Sequence, residues 1–170
     1  MKNRSVILIA DDDEDSILLL QNAFELAQVA DTRRVVRNGK EVIDYLSGKG
    51  IYRDREDFPW PALMLLDLKM PVVDGFEVLQ WWGEHRGGRE LPIVVMSTSN
   101  QEGDILKAMA MGATAYQVKP GSFDYLVEVA RALQERWLKP ERLGTPAGFV
   151  RAPGRGKSAE PRSFGRRAVA

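Results

Sequence analysis

The apolar and polar positions alternate between two periods along the first 138 residues. Residues 5–10 (SVILIA) form a short unbroken apolar run, as expected of a strand covered on both faces. Residues 13–30 follow with Ile17, Leu20, Phe24 and Ala27 at helical spacing, and Asp13 suits the N-cap. Residues 34–37 predict a weak second strand. Asn38-Gly39 then turns into a helix carrying Val42, Ile43 and Leu46. Residues 48–61 are polar, with Gly and Pro at the ends, and predict a loop. Residues 62–67 (ALMLLD) predict another buried strand, and the turn-rich stretch 70–75 leads to a helix through Phe76, Leu79 and Trp82. Residues 92–97 (PIVVMS) read as a strand. Residues 101–111 read as a helix closed by Gly112 at C′. The last strand and helix fall at 113–118 and 122–138. Five β/α alternations with buried strands predict a parallel sheet covered by helices on both sides.

Composition narrows the class. The 170 residues suit about one domain. No apolar run approaches the roughly 20 residues of a membrane span, and residues 1–5 lack the h-region and cleavage site of a signal peptide. Cysteine is absent, which excludes disulfides and thiolate metal sites and makes the cytoplasm the expected compartment. His85 is the only histidine, so mechanisms built on a histidine cluster, and most Ser/His/Asp schemes, are excluded. The net charge of zero hides an asymmetry. From residue 139 onward eight basic residues face two acids, a balance of +6, which leaves −6 on residues 1–138. An acidic body argues against general nucleic-acid binding by the globular part. The tail, 139–170, is rich in Pro, Gly, Arg and Ser. It is expected to be disordered, because it cannot bury enough surface to offset its ordering entropy. It lacks aromatic interleaving beyond Phe149 and Phe164 and shows no helix-turn-helix pattern.

Chemistry in an open α/β sheet collects beyond the carboxyl ends of the strands. The first strand ends in Asp11, Asp12 and Asp13, the third in Asp67, the fourth in Ser97 and Thr98, and the fifth in Lys119-Pro120. Asp13 reads about equally well as an N-cap. For Asp11, Asp12 and Asp67 together a structural reading is poor, because carboxylates aimed at one point repel. A hard divalent cation with oxygen ligands relieves that repulsion. Competing motifs fail: Gly48-Lys49-Gly50 lacks a third glycine and a preceding strand, and Gly156-Lys157-Ser158 lacks the earlier glycine of a P-loop. Asp67-Leu68-Lys69 lacks the second aspartate of haloacid-dehalogenase phosphatases.

Asp11-Asp12, Asp67-Leu-Lys-Met-Pro71 with Asp74-Gly75, Ser97-Thr98 and Lys119-Pro120 together resemble the receiver domain of two-component signalling over residues 5–138. Gly75-Phe-Glu-Val-Leu79, Ser97-Thr-Ser99, the long loop before the third strand and Trp137-Leu138 resemble stand-alone receivers associated with bacterial phytochrome-type kinases. The resemblance implies a flavodoxin-like fold of five parallel strands in order 2-1-3-4-5, with residues 1–138 as the domain. It implies a switch that catalyses only its own phosphoryl transfer and dephosphorylation. Asp67 would accept a phosphoryl group from a histidine kinase. Asp12 would ligate Mg²⁺ directly and Asp11 largely through water, with the Lys69 carbonyl and Asp67 completing the protein ligands. Lys119 and Ser97 would contact the phosphoryl oxygens, Tyr116 would move with Ser97, and Thr98 would narrow access. It also implies a cis Lys119-Pro120 bond. No effector domain is legible, so output would pass through a partner. Alternatives are a phosphate-independent scaffold and a nucleic-acid regulator using the basic tail.

Two surface features complete the reading. Trp81 and Trp82 are adjacent, so one faces the core and the other is a candidate contact; His85 reads as a solvated residue at a helix end. On the last helix, Leu126, Val129, Ala130 and Leu133 fill a core-facing stripe, while Phe123, Tyr125 and Trp137 fall outside it. That surplus, with the resemblance, predicts a homodimer through the final helices and strand.

Overall fold

The computed structural model describes residues 5–139 and the backbone of Val150–Arg151. Five strands alternate with five helices: β1 (Val6–Ala10), α1 (Glu14–Leu26), β2 (Thr32–Val36), α2 (Gly39–Ser47), β3 (Leu63–Leu66), α3 (Gly75–His85), β4 (Ile93–Ser97), α4 (Glu102–Ala110), β5 (Ala115–Val118) and α5 (Phe123–Leu133). These strands are parallel and lie in the order β2-β1-β3-β4-β5, as the resemblance implies. The helix starts follow local chemistry. Asp13, Asn38, Asp74 and Ser122 each cap a helix by accepting a backbone N–H, and Asp74 completes a capping box with Glu77.

Side chains of successive strand residues point to opposite faces, so the sheet feeds two core layers. Leu8, Ala10, Met64, Leu66 and Val95 pack against α2, α3 and α4 through Val42, Leu46, Val78, Leu79, Trp82 and Ala108. Ile7, Ile9, Leu63, Leu65, Val94 and Met96 pack against α1 and α5 through Leu20, Phe24, Leu126, Ala130 and Leu133. Burying one such Leu fully stabilises by about 1.5–3 kcal/mol. The layers hold the sheet rigid, and with it the strand ends.

Three segments go beyond the sequence reading. The predicted loop 48–61 contains a 3₁₀ turn (Gly50–Arg53), and its Tyr52 and Phe58 rings pack on Tyr45 at 5.2 and 6.0 Å. The buried Tyr45 hydroxyl donates to the Pro59 carbonyl at 2.8 Å. These rings join α2 to a stretch that has no sustained apolar repeat, so the order of this loop is invisible to periodicity. In α3, Trp82 is buried, whereas the half-buried Trp81 stacks on His85 with centroids 5.0 Å apart. His85 is exposed in the last turn of α3, as expected, and its ring also lies against Trp81. Finally, Val150–Arg151 forms a short strand, β6, antiparallel to β5 with Tyr116 opposite Val150. The β5 edge offers the backbone donors and acceptors that this pairing takes up. The expectation of disorder for the tail concerns residues that lie, Val150–Arg151 apart, outside the described residues.

Candidate functional site

Strand register assembles the site. Ala10 of β1 lies beside Leu66 of β3, so the next residues, Asp11 and Asp67, leave the sheet side by side. Ser97 of β4 lies beside Val118 of β5, which places Lys119 one residue further on. Both carboxyl groups are nearly buried, at 6 % and 8 % residue exposure, and Asp12 is exposed beside them. One carboxylate oxygen from each of Asp11, Asp12 and Asp67 lies within 4.8 Å of the other two.

A single ammonium group bridges the buried pair. Lys119 Nζ donates to Asp11 Oδ2 at 2.8 Å and to Asp67 Oδ2 at 3.3 Å. Burial pushes the Asp67 carboxyl above its ordinary pKa; the Lys119 charge opposes that shift and the Asp11 charge adds to it. Burial works against the charge on Lys119, yet its hydrogen bond to Asp11 and the charge of Asp67 outweigh that and raise its pKa. Two carboxylates sharing one cation, with a third at the rim, leave an excess of negative charge. This oxygen-only donor set fits a hard divalent cation. The Lys69 backbone is adjacent, its N–H reaching Asp67 Oδ1 at 3.5 Å.

The loop after Asp67 is pinned by close backbone approaches. Gly75 N donates to Leu68 O at 3.0 Å, and Gly39 N donates to Val73 O at 2.9 Å. A Cβ on Gly75 would stand 2.3 Å from the Asp67 carbonyl oxygen, and one on Gly39 would stand 2.4 Å from that of Val73. Between them Val72 adopts φ 69° and is 76 % exposed. That is a left-handed conformation β-branched residues rarely take.

The remaining expected residues occupy the β4–α4 side. Ser97 is fully buried; its Oγ accepts from Ser99 N at 3.2 Å, and its carbonyl accepts from Lys119 N at 2.8 Å. Tyr116 is buried and donates from its hydroxyl to Ser99 O at 2.9 Å. Thr98 is exposed. One expectation is corrected: no peptide bond among the described residues is cis, so Lys119-Pro120 is trans. Lys119 reaches both carboxylates from the trans geometry, which X–Pro bonds favour by about 0.5–1 kcal/mol.

Three polar residues of this region have no role in the sequence reading. Ser16 donates to Asp13 Oδ2 at 2.8 Å and lies 3.4 Å from Lys119 Nζ. Ser99 Oγ donates to Asp104 Oδ2 at 2.5 Å. Ser16 sits in the first turn of α1, where a serine reads as part of a cap. Ser99 and Asp104 are five residues apart, a spacing that matches no capping signature.

Comparison with known proteins agrees with this geometry. The response regulator receiver domain family matches residues 7–131. The probable methanogenesis regulatory protein FilR2 of Methanothrix harundinacea is 31% identical over 147 residues, covering 84% of this chain and 89% of that protein. The crystal structure of response regulator RPA3017 in red light signaling of R. palustris superposes with a TM-score of 0.76 at 34% identity, covering 84% of this chain and 99% of that one. The phosphorylated cyanobacterial phytochrome response regulator RcpA gives a TM-score of 0.74 at 30% identity, covering 83% and 99%. The family match spans most of the chain, and the acids, the hydroxyl and the lysine stand at the strand ends the resemblance requires, so this chain belongs to the response regulator receiver domain family.

Proposed function

We propose that this receiver accepts a phosphoryl group on Asp67 from the phosphohistidine of a sensor histidine kinase, one of phytochrome type, and signals through the resulting conformational change. The observation that carries the reading is Lys119 bridging the nearly buried Asp67 and Asp11 with Asp12 at the rim. A carboxylate needs no general base. Its oxygen attacks phosphorus, an O–P bond forms, the P–N bond to the donor imidazole breaks, and the imidazole keeps the electron pair and takes a proton. Such transfer is governed by in-line positioning and charge neutralisation. The Lys119 ammonium faces one side of the group, and the Ser97 hydroxyl lies one strand away. Mg²⁺, held by Asp11, Asp12, Asp67 and the Lys69 carbonyl, would neutralise charge on the phosphoryl oxygens. Asp11 is already engaged by Lys119 and by Asp13 N–H, which supports Asp12 as the direct ligand.

The output is a partner contact from the cytoplasmic domain, including a second copy of this chain across α4, α5 and the β5 edge that β6 lines. Leu106, Phe123 and Tyr125 are exposed there. Trp137, expected on that face, instead packs half-buried against the α1/α5 layer. The deciding experiment is incubation of the full chain with acetyl phosphate and Mg²⁺. Hydroxylamine-labile labelling of wild type, lost in Asp67→Asn and without Mg²⁺, is expected; labelling of the variant at the wild-type rate overturns the reading. Sedimentation of the same samples tests the dimer, and a strict monomer with and without phosphodonor refutes it.

A further inference from the structure

Every polar group of Ser99 is engaged, and each bond leads to a different part of the switch. Its N–H donates to Ser97 Oγ at 3.2 Å, its carbonyl accepts from the Tyr116 hydroxyl at 2.9 Å, and its Oγ donates to Asp104 at 2.5 Å. Asp104 lies in the first turn of α4. Gln101, the N-cap of that helix, supplies no side-chain cap; Ser99 Oγ ties the loop to α4 instead, donating to Asp104 and accepting a long bond from Gln101 N–H at 3.4 Å. A hydrogen bond to a carboxylate is roughly twice as strong as a neutral one. The rest position of the Ser97 hydroxyl is therefore set from the far side of the loop: turning Oγ toward a group on Asp67 stretches its bond from Ser99 N–H, and Ser99 can follow only by leaving Asp104.

We infer that Asp104, acting through the Ser99 hydroxyl, is a positioning residue that holds Ser97 in its resting place and thereby sets the rate of phosphoryl uptake. The inference rests on the phosphoacceptor reading above. It assigns the loop a function that neither Ser97 nor Tyr116 carries alone: the displacement of Ser97 is read by α4 as the loss of one bond.

The test uses the full chain with Ser99→Ala, Asp104→Ala, their combination and Ser99→Thr. Labelling from acetyl phosphate at saturating Mg²⁺ is split into its maximal rate and the donor concentration at half-maximal rate. Amide exchange at position 99 is followed by NMR without phosphodonor. Freed of the tie, Ser97 turns more readily, so each single variant should raise the maximal rate by on the order of three- to tenfold with the half-maximal concentration unchanged. The combination should equal Ser99→Ala, which removes the bond to Asp104 together with the long bond from Gln101 N–H. Ser99→Thr, which keeps the hydroxyl, should return to wild-type rate, and the backbone amide at position 99 should exchange faster in the two Ala variants. A maximal rate that falls or stays within about twofold of wild type overturns the inference, as does additivity in the combination. If Asp104→Ala melts early, Asp104→Asn, which leaves a neutral acceptor, should lie between wild type and Ser99→Ala. A wild-type chain that takes no label overturns the phosphoacceptor reading instead, a result distinguished by faster amide exchange at position 99 persisting in the Ala variants.

Discussion

Asp67→Asn should stabilise the metal-free protein while abolishing its labelling. At an effective dielectric of about 20, the Lys119 ammonium 3.3 Å away attracts the Asp67 carboxylate by about 5 kcal/mol. Asp11, no further than 4.8 Å, repels it by about 3.5 kcal/mol at the same dielectric. Asp12 is exposed, and at the dielectric of water it adds about 1 kcal/mol more repulsion. Attraction and repulsion nearly cancel, which leaves burial to decide, in agreement with the raised Asp67 pKa. The native state therefore favours the neutral carboxyl. Its contribution to stability is present at low pH and is lost as pH rises from the ordinary 3.8 through the higher folded value. An asparagine keeps the shape and an acceptor for Lys119 without the charge. A gain of about 1 kcal/mol is expected near neutral pH, or about 3–4 °C in Tm for a domain of this size. Calorimetry in chelator measures it. The gap should close below pH 3.8, where the wild-type carboxyl is neutral in both states, and it should narrow when a divalent cation binds wild type. A variant that melts several degrees lower in chelator would show that the ion pair outweighs burial and refute the reasoning.

Four further outcomes follow from the same geometry. Lys119→Met leaves two buried carboxylates facing each other without a cation, so it should cost about 3 kcal/mol by denaturant titration and be partly rescued by a divalent cation. Val72→Asn relieves a left-handed β-branched residue whose side chain is exposed and should gain about 1 kcal/mol with labelling kept; an unchanged or lower melting point counts against strain at that residue. Gly75→Ala must push a methyl group into the backbone of Asp67 and Leu68, so a loss of about 2 kcal/mol or more and slowed labelling are expected. Asp12→Ala should weaken Mg²⁺ more than Asp11→Ala in a calorimetric titration; equal affinities would refute the direct-ligand assignment.

The fold was legible because its strands are covered on both faces and its helices on one. Unbroken runs such as Val6–Ala10 and Leu63–Leu66 contrast with helical stripes such as Leu126, Val129 and Leu133, and the structure follows both. The convergence of Asp11, Asp67 and Lys119 was legible for a related reason: parallel strands deliver their C-terminal residues to one edge. What escaped was set by contacts distant in sequence. The packing of Tyr52 and Phe58 on Tyr45 joins α2 to a stretch that has no sustained apolar repeat, and Ser99 meets Asp104 only because the β4–α4 loop folds back on its helix. The β6 pairing depends on an open edge elsewhere in the chain, which the composition of the tail does not register.

The two glycine contacts around the Asp67 loop bear on how such a site can be transplanted or rebuilt. Gly75 touches the acceptor's own carbonyl and Gly39 touches that of Val73, so the loop is gripped from α3 on one side and from α2 on the other. Grafting residues 67–75 onto another open sheet would carry only half of the grip, because the other half lies 28 positions before the acceptor. The portable unit is the loop together with the start of α2. A chain that keeps every charged residue of the site but places any side chain at position 39 would hold its nucleophile on a displaced backbone, a defect that an inventory of reactive groups cannot register.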